Sequence, residues 1–164
     1  MFLIREIKKE DINKICEIML AFPDFYPEFY VNSTKRGGIK WLLKYAVQSK
    51  DKYDVKSYVM KKDGQIIGHI AYLKDICCFQ GGIYDIRALA VDANEIGSGY
   101  GKILLNHIKN ELKKIKARML FLQTDKESYK FYLRQGYILE HIIKNYWGKD
   151  SDRYILKLQI HGAD

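Results

Sequence analysis

Apolar and polar positions alternate along this chain with two periods, and the switches between them mark its elements. Residues 2 to 7 read as a strand. Ile12, Ile15, Cys16 and Met19 then recur at helical spacing behind Glu10-Asp11, an acidic pair that suits a helix N-terminus. That helix is expected to end near Pro23. The segment Phe22-Pro23-Asp24-Phe25-Tyr26-Pro27-Glu28-Phe29-Tyr30 holds both prolines among clustered aromatics and reads as irregular, after which Gly37-Gly38 precede a helix carrying Ile39, Leu42, Leu43 and Ala46. Tyr58 to Lys61 and Ile66 to Leu73 flank Asp63-Gly64, a pair suited to a tight hairpin turn, and Ile83 to Val91 completes three consecutive antiparallel strands.

Further along, Leu104, Leu105, Ile108, Leu112 and Ile115 form one helical stripe, while Lys102, Lys109, Lys113 and Lys116 fall largely elsewhere and read as a solvated face. Met119 to Gln123 is a short strand, Lys126 to Gln135 a helix stopped by Gly136, and Tyr137 to Tyr146 and Tyr154 to Ile160 two more strands. No repeat or low-complexity linker divides the pattern. With 164 residues and 48% apolar composition, one domain over 1–164 is expected.

Charge and cysteines narrow the setting. The net charge of +8 attracts anions of any kind, whether a phosphorylated cofactor, nucleic acid or an acidic protein. Cys16, Cys77 and Cys78 form an odd set without metal-ligand spacing, and no apolar run approaches the ~18 residues of a membrane span. A soluble, cytoplasmic protein that touches no membrane is therefore expected. His69, His107 and His141 fall on separate elements, so neither a catalytic dyad nor a metal site is expected.

The chemistry concentrates in Glu95-Ile96-Gly97-Ser98-Gly99-Tyr100-Gly101-Lys102, where alternating glycines open a helix. A strand, a glycine loop and a helix start together offer unpaired N–H groups and the positive end of a helix dipole, which suits a phosphate. A P-loop would need glycine at Ile96 and serine or threonine at Ile103. A dinucleotide fingerprint starting at Gly97 would need glycine at Lys102. Both patterns fail.

Ile96 to Gly101 instead resembles the pyrophosphate loop of the GNAT acetyltransferases, whose pattern is Gln or Arg, two residues, Gly, any residue, then Gly or Ala. Leu89-Ala90-Val91-Asp92 resembles the end of the family's fourth strand. Ser128 to Tyr137, with Phe131-Tyr132 and Gly136-Tyr137, resembles its A-x-x-F-Y-x-x-x-G-F helix. The order of elements matches over nearly the whole chain. The resemblance implies an α/β (α+β) fold, a mixed and mostly antiparallel sheet of about six to seven strands flanked by about four helices.

The resemblance also implies that acetyl-CoA lies along main-chain atoms of Leu89, Ala90 and Val91, with its pyrophosphate on Ile96, Gly97, Ser98, Gly99, Tyr100, Gly101 and Lys102. Ile96 replaces the usual Gln or Arg, and Asp125, where many members carry Asn, accepts but cannot donate to the pantetheine arm. Tyr132 is expected to be the acid that meets the leaving thiolate, and Asp85 matches a position where several members carry a catalytic Glu. Pairing with Arg87 would instead make Asp85 a structural ion pair or a substrate anchor.

The acceptor is expected near Phe25, Tyr26, Phe29, Tyr30, Tyr146 and Trp147, with Asp24, Glu28, Asp150 and Asp152 available to a cationic amine. The expected activity is direct acetyl transfer from acetyl-CoA to a primary amine of a small molecule or a protein, without a metal. Two alternatives stay open: a non-catalytic acyl-CoA-binding sensor or interaction module, and a nucleic-acid contact for the basic surface. A homodimer is compatible with all three.

Overall fold

The computed structural model describes residues 1–35, 38–48, 55–75 and 81–160. Seven strands form one mixed sheet in the order β1-β2-β3-β4-β5-β7-β6. The chain gathers into two compact units, Met1–Leu73 with Ala88–His107, and Lys74–Arg87 with Ile108–Asp164.

The first unit contains β1 (Phe2–Glu6), β2 (Lys56–Lys62), β3 (Gln65–Lys74) and the C-terminal half of β4 (Ile83–Val91). β1 and β2 pair antiparallel, as do β2 and β3, whose turn residues Asp63 and Gly64 take φ of 49° and 85°. The Asp-Gly pair thus makes the hairpin expected of it, because both left-handed positions are tolerated there. Helices α1 (Ile12–Leu20), α2 (Glu28–Val31) and α3 (Ile39–Gln48) complete the layer, joined by the first half of α4 (Tyr100–Lys114). Ile12, Ile15, Cys16 and Met19 of α1 and Ile39, Leu42, Leu43 and Ala46 of α3 are buried in one core with Val59, Ala71, Ala88 and Ala90. Fully burying a side chain such as Ile15 or Met19 contributes about 2 kcal/mol.

Asp11 does not cap α1. Its carboxylate turns back to take two bonds from Arg5, at 2.6 and 2.9 Å, and one from the Lys8 amide at 2.7 Å. Burial raises its carboxyl, and these bonds outweigh that effect, so it titrates below the ordinary carboxylate value. A depressed folded pKa gives stability that is present above the unfolded value and lost as the pH falls through the folded one. Asp11→Asn should therefore cost about 3 kcal/mol in urea unfolding at neutral pH, and the deficit should shrink in acid.

The second unit contains the N-terminal half of β4 with β5 (Met119–Thr124), β6 (Ile138–Gly148) and β7 (Ser151–Gln159). β4 and β5 pair in parallel only from Ile83–Met119 to Ile86–Leu122, although β4 runs on to Val91. β7 lies antiparallel between β5 and β6. Tyr84, Ile86, Leu120, Leu122, Tyr154 and Leu156 are buried on one face of these strands, as are Ile108 and Leu112 of α4.

Several boundaries differ from the sequence reading. The helix expected over 126–135 is regular only over α5 (Tyr129–Leu133), preceded by a turn over 126–128 that Asp125 opens by accepting from the Ser128 amide. α4 ends at Lys114, and Ile115, expected on its buried stripe, is 56% exposed beside Lys116 at φ 53°. Among the described residues no helix is long and apolar enough to cross a membrane. Cys16 is buried, while Gly37, Cys77 and Cys78 lie outside the described residues.

Candidate active site

The glycine loop leaves β4 through a single 3-10 turn at Ala93–Glu95, capped by Asp92, whose side chain accepts from the Asn94 amide. Gly97 and Gly99 then take φ of 85° and 82°, and a Cβ on either would meet no heavy atom within 4 Å. Only glycine adopts this backbone without strain, and it leaves open space above the start of α4. Ser98 spends its amide on the Glu95 carbonyl at 3.3 Å, which removes it from the expected cradle. The amides of Gly97, Gly99, Tyr100, Gly101 and Lys102 have no backbone partner among the described residues. Free N–H groups on a helix N-terminus form a phosphate-binding arrangement. Lys62 adds a cation beside the loop, paired with Glu95 at 2.8 Å and 5.6 Å from the centre of the Tyr100 ring. Ile96 is 62% exposed and offers no side-chain donor.

Tyr26 takes an unexpected place. Its hydroxyl donates to the Leu89 carbonyl at 3.1 Å and lies 3.3 Å from the Leu89 N–H, which donates to it. Both peptide groups of Leu89, expected to serve the pantetheine arm, are thus held by a tyrosine assigned to the acceptor. Burial pushes the Tyr26 phenol up to about 12 against the lowering effect of the Leu89 N–H, so it remains a neutral donor. Sequence reasoning had no signal for this contact, which joins residues 63 positions apart.

In the second unit, Tyr132 is 8% exposed on α5, edge-to-face with Phe131 at 5.0 Å and with Tyr137 at 5.7 Å. The two rings fix its orientation. Asp125 spends Oδ1 on the Ser128 amide at 2.8 Å, and burial raises its carboxyl despite that bond. Asp85 pairs through Oδ2 with Arg87 at 2.9 Å, while its Oδ1 is buried without a partner. Burial raises the Asp85 carboxyl and outweighs the lowering by Arg87, so the ion pair anticipated from sequence forms without holding its pKa down. A buried carboxylate with one unpartnered oxygen and a raised pKa is suited to accept a proton.

The aromatic residues expected around the acceptor divide between the units. Tyr30 packs against the first core, Phe25 is 39% exposed and Phe29 80% exposed. Tyr146 and Trp147, in the β6–β7 hairpin, are about half exposed and contact each other edge-to-face at 5.4 Å. His69, fully buried, bonds Ser57 at 2.9 Å, and burial pushes its imidazole down to about 3. This serine–histidine pair escaped the sequence reading, and its burial makes it part of the core. His107 packs against Tyr58.

The description "Acetyltransferase (GNAT) family" matches residues 18–137. No curated protein matches the chain. Among solved structures, a protein from Desulfovibrio desulfuricans assigned to the GNAT family superposes with TM-score 0.79 at 18% identity, covering 98% of this chain and all of that one. An aminoglycoside 6'-N-acetyltransferase complexed with coenzyme A gives 0.77 at 13% identity, over 99% of each chain. The ribosomal-protein-S18-alanine N-acetyltransferase of Escherichia coli gives 0.71 at 18% identity, covering 100% of this chain and 97% of that one. Identities this low speak for the fold alone. The family match, spanning most of the sequence and including the strand end, the glycine loop and the F-Y helix, carries the assignment: this chain belongs to the GNAT acetyltransferase family.

Proposed function

We propose that this protein transfers the acetyl group of acetyl-CoA directly to a primary amine. The observation that carries the proposal is the set of amides of Gly97, Gly99, Tyr100, Gly101 and Lys102 at the head of α4, without backbone partners among the described residues, which fits a pyrophosphate in a family of acetyltransferases. Acetyl-CoA supplies an activated thioester. Leu89 would bind it through its peptide groups once the Tyr26 hydroxyl gives them up, and the Leu89 N–H is then a donor for negative charge on the acyl oxygen. Asp85 would draw a proton from the acceptor ammonium through its Oδ1, exposing the lone pair. As the N–C bond forms and the C–S bond breaks, the Tyr132 hydroxyl donates to the leaving sulfur and regains the proton lost by the amine. A cytoplasmic setting, where acetyl-CoA meets reduced thiols, is part of this reading.

The exposed Ile96 favours one competing reading, a non-catalytic acyl-CoA-binding module, because that position lacks a side-chain donor. Thiol release from acetyl-CoA across a panel of amines separates the two. Turnover with at least one amine is expected, and saturable CoA binding without any product would overturn the catalytic reading.

A further inference from the structure

One face of the second unit carries a cluster of charged side chains. Asp85 sits beside Phe121, Phe121 beside Lys157, and Gln123 beside Ile155. Side chains two apart on a strand share a face, so Arg87 and Arg153 belong to the face of Asp85. Two ion pairs cancel there, Arg87 with Asp85 at 2.9 Å and Lys157 with Glu140 at 2.8 Å. Arg153 and Asp75 stand beside these pairs, and both act on the Asp85 carboxylate, with opposite sign. The Arg153 Nε is buried without a partner, and its guanidinium lies 4.4 Å from the centre of the Tyr146 ring. A stacked guanidinium keeps its N–H edge available for a planar carboxylate. Asp85 Oδ1 is also buried and unpartnered.

Unpaired buried polar atoms are uncommon in folded chains, and here a donor and an acceptor of opposite charge share one face. Asp152, one of the carboxylates expected to receive a cation, is already held by Lys144 at 2.7 Å and by the Asn145 amide at 3.0 Å.

We propose that the acceptor is a small amine that also carries a carboxylate, as an amino acid does, with the carboxylate pairing with Arg153 and the ammonium received by Asp85 Oδ1. This rests on the acetyl-transfer reading. The ammonium yields one proton to Asp85, the nitrogen bonds the acyl carbon as the C–S bond breaks, and the sulfur leaves as the protonated thiol. The amine's second proton replaces the one given to the sulfur, and Asp85 returns its own to solvent.

The test measures thiol release by the intact protein with the common amino acids, their amides, the corresponding decarboxylated amines and spermidine, beside a calorimetric titration with CoA. At least one amino acid should exceed its own amide in kcat/KM by about 10- to 100-fold, the value of one charge-assisted pair. Arg153→Gln should erase that ratio through KM for the amino acid, leaving CoA affinity unchanged, and Arg153→Lys should restore part of it. Amides, decarboxylated amines or spermidine serving as well as every amino acid would overturn the inference while leaving acetyl transfer standing. So would a ratio unmoved in Arg153→Gln. CoA binding without turnover of any amine, or no CoA binding, would remove the acetyl-transfer reading and this inference with it.

Discussion

Valine at position 99 should abolish coenzyme A binding while the protein stays folded. Gly99 holds φ at 82°, and a β-branched residue forced there costs about 1–3 kcal/mol, less than the stability of a typical domain. A Cβ at this position meets no protein atom within 4 Å, so the added side chain enters the space that a pyrophosphate needs above the amides of Tyr100, Gly101 and Lys102. Affinity should fall at least about 100-fold, since the phosphates lose several amide bonds together. Gly64→Val is the matched control. Its φ is 85°, a Cβ there also meets nothing within 4 Å, and it belongs to the β2–β3 turn, outside the row of loop amides. Both variants should melt earlier by a similar margin, and only Gly99→Val should lose CoA. Equal affinity in the two would make the glycine loop a mere turn.

Tyr132→Phe should lower kcat by about 10²- to 10³-fold with little change in KM for acetyl-CoA, because it removes one proton donor and keeps the ring. The ring is 8% exposed and wedged edge-to-face between Phe131 and Tyr137, so its packing survives the loss of an oxygen. Tyr137→Phe supplies the contrast. Its hydroxyl is buried without a hydrogen-bond partner, and its removal should leave kcat unchanged and stability equal or slightly higher. Steady-state kinetics on both variants check the pair of expectations, and a Tyr132→Phe enzyme with normal kcat would reassign the tyrosine to the core.

What could be read from the sequence was whatever depends on neighbours close along the chain. The stripes of α1 and α3, the Asp63-Gly64 turn and the glycine loop all follow from local period or backbone freedom, and the structure places them where that logic expects. Asp85 and Arg87 stand two apart on one strand, so their pairing was also legible. The direction of the Asp85 shift was not, because it depends on how much water the surrounding chain excludes. The same limit hid Asp11, which reads in sequence as part of an acidic pair at a helix N-terminus and serves Arg5 in space. Tyr26 on Leu89 and Arg153 on Tyr146 arise from tertiary packing of elements whose sequences carry no mutual pattern. The F-Y helix was found through its residues and misjudged in length, since residues 126–128 and 134–136 take turns at its two ends.

The central claim is that Gly97, Gly99, Tyr100, Gly101 and Lys102 present their amides to the pyrophosphate of coenzyme A. Calorimetric titration of the purified protein with acetyl-CoA, free CoA and ATP tests it without any assumption about the acceptor. Micromolar binding of both CoA forms, with much weaker binding of ATP, is the predicted result; no binding of either CoA form would contradict the account.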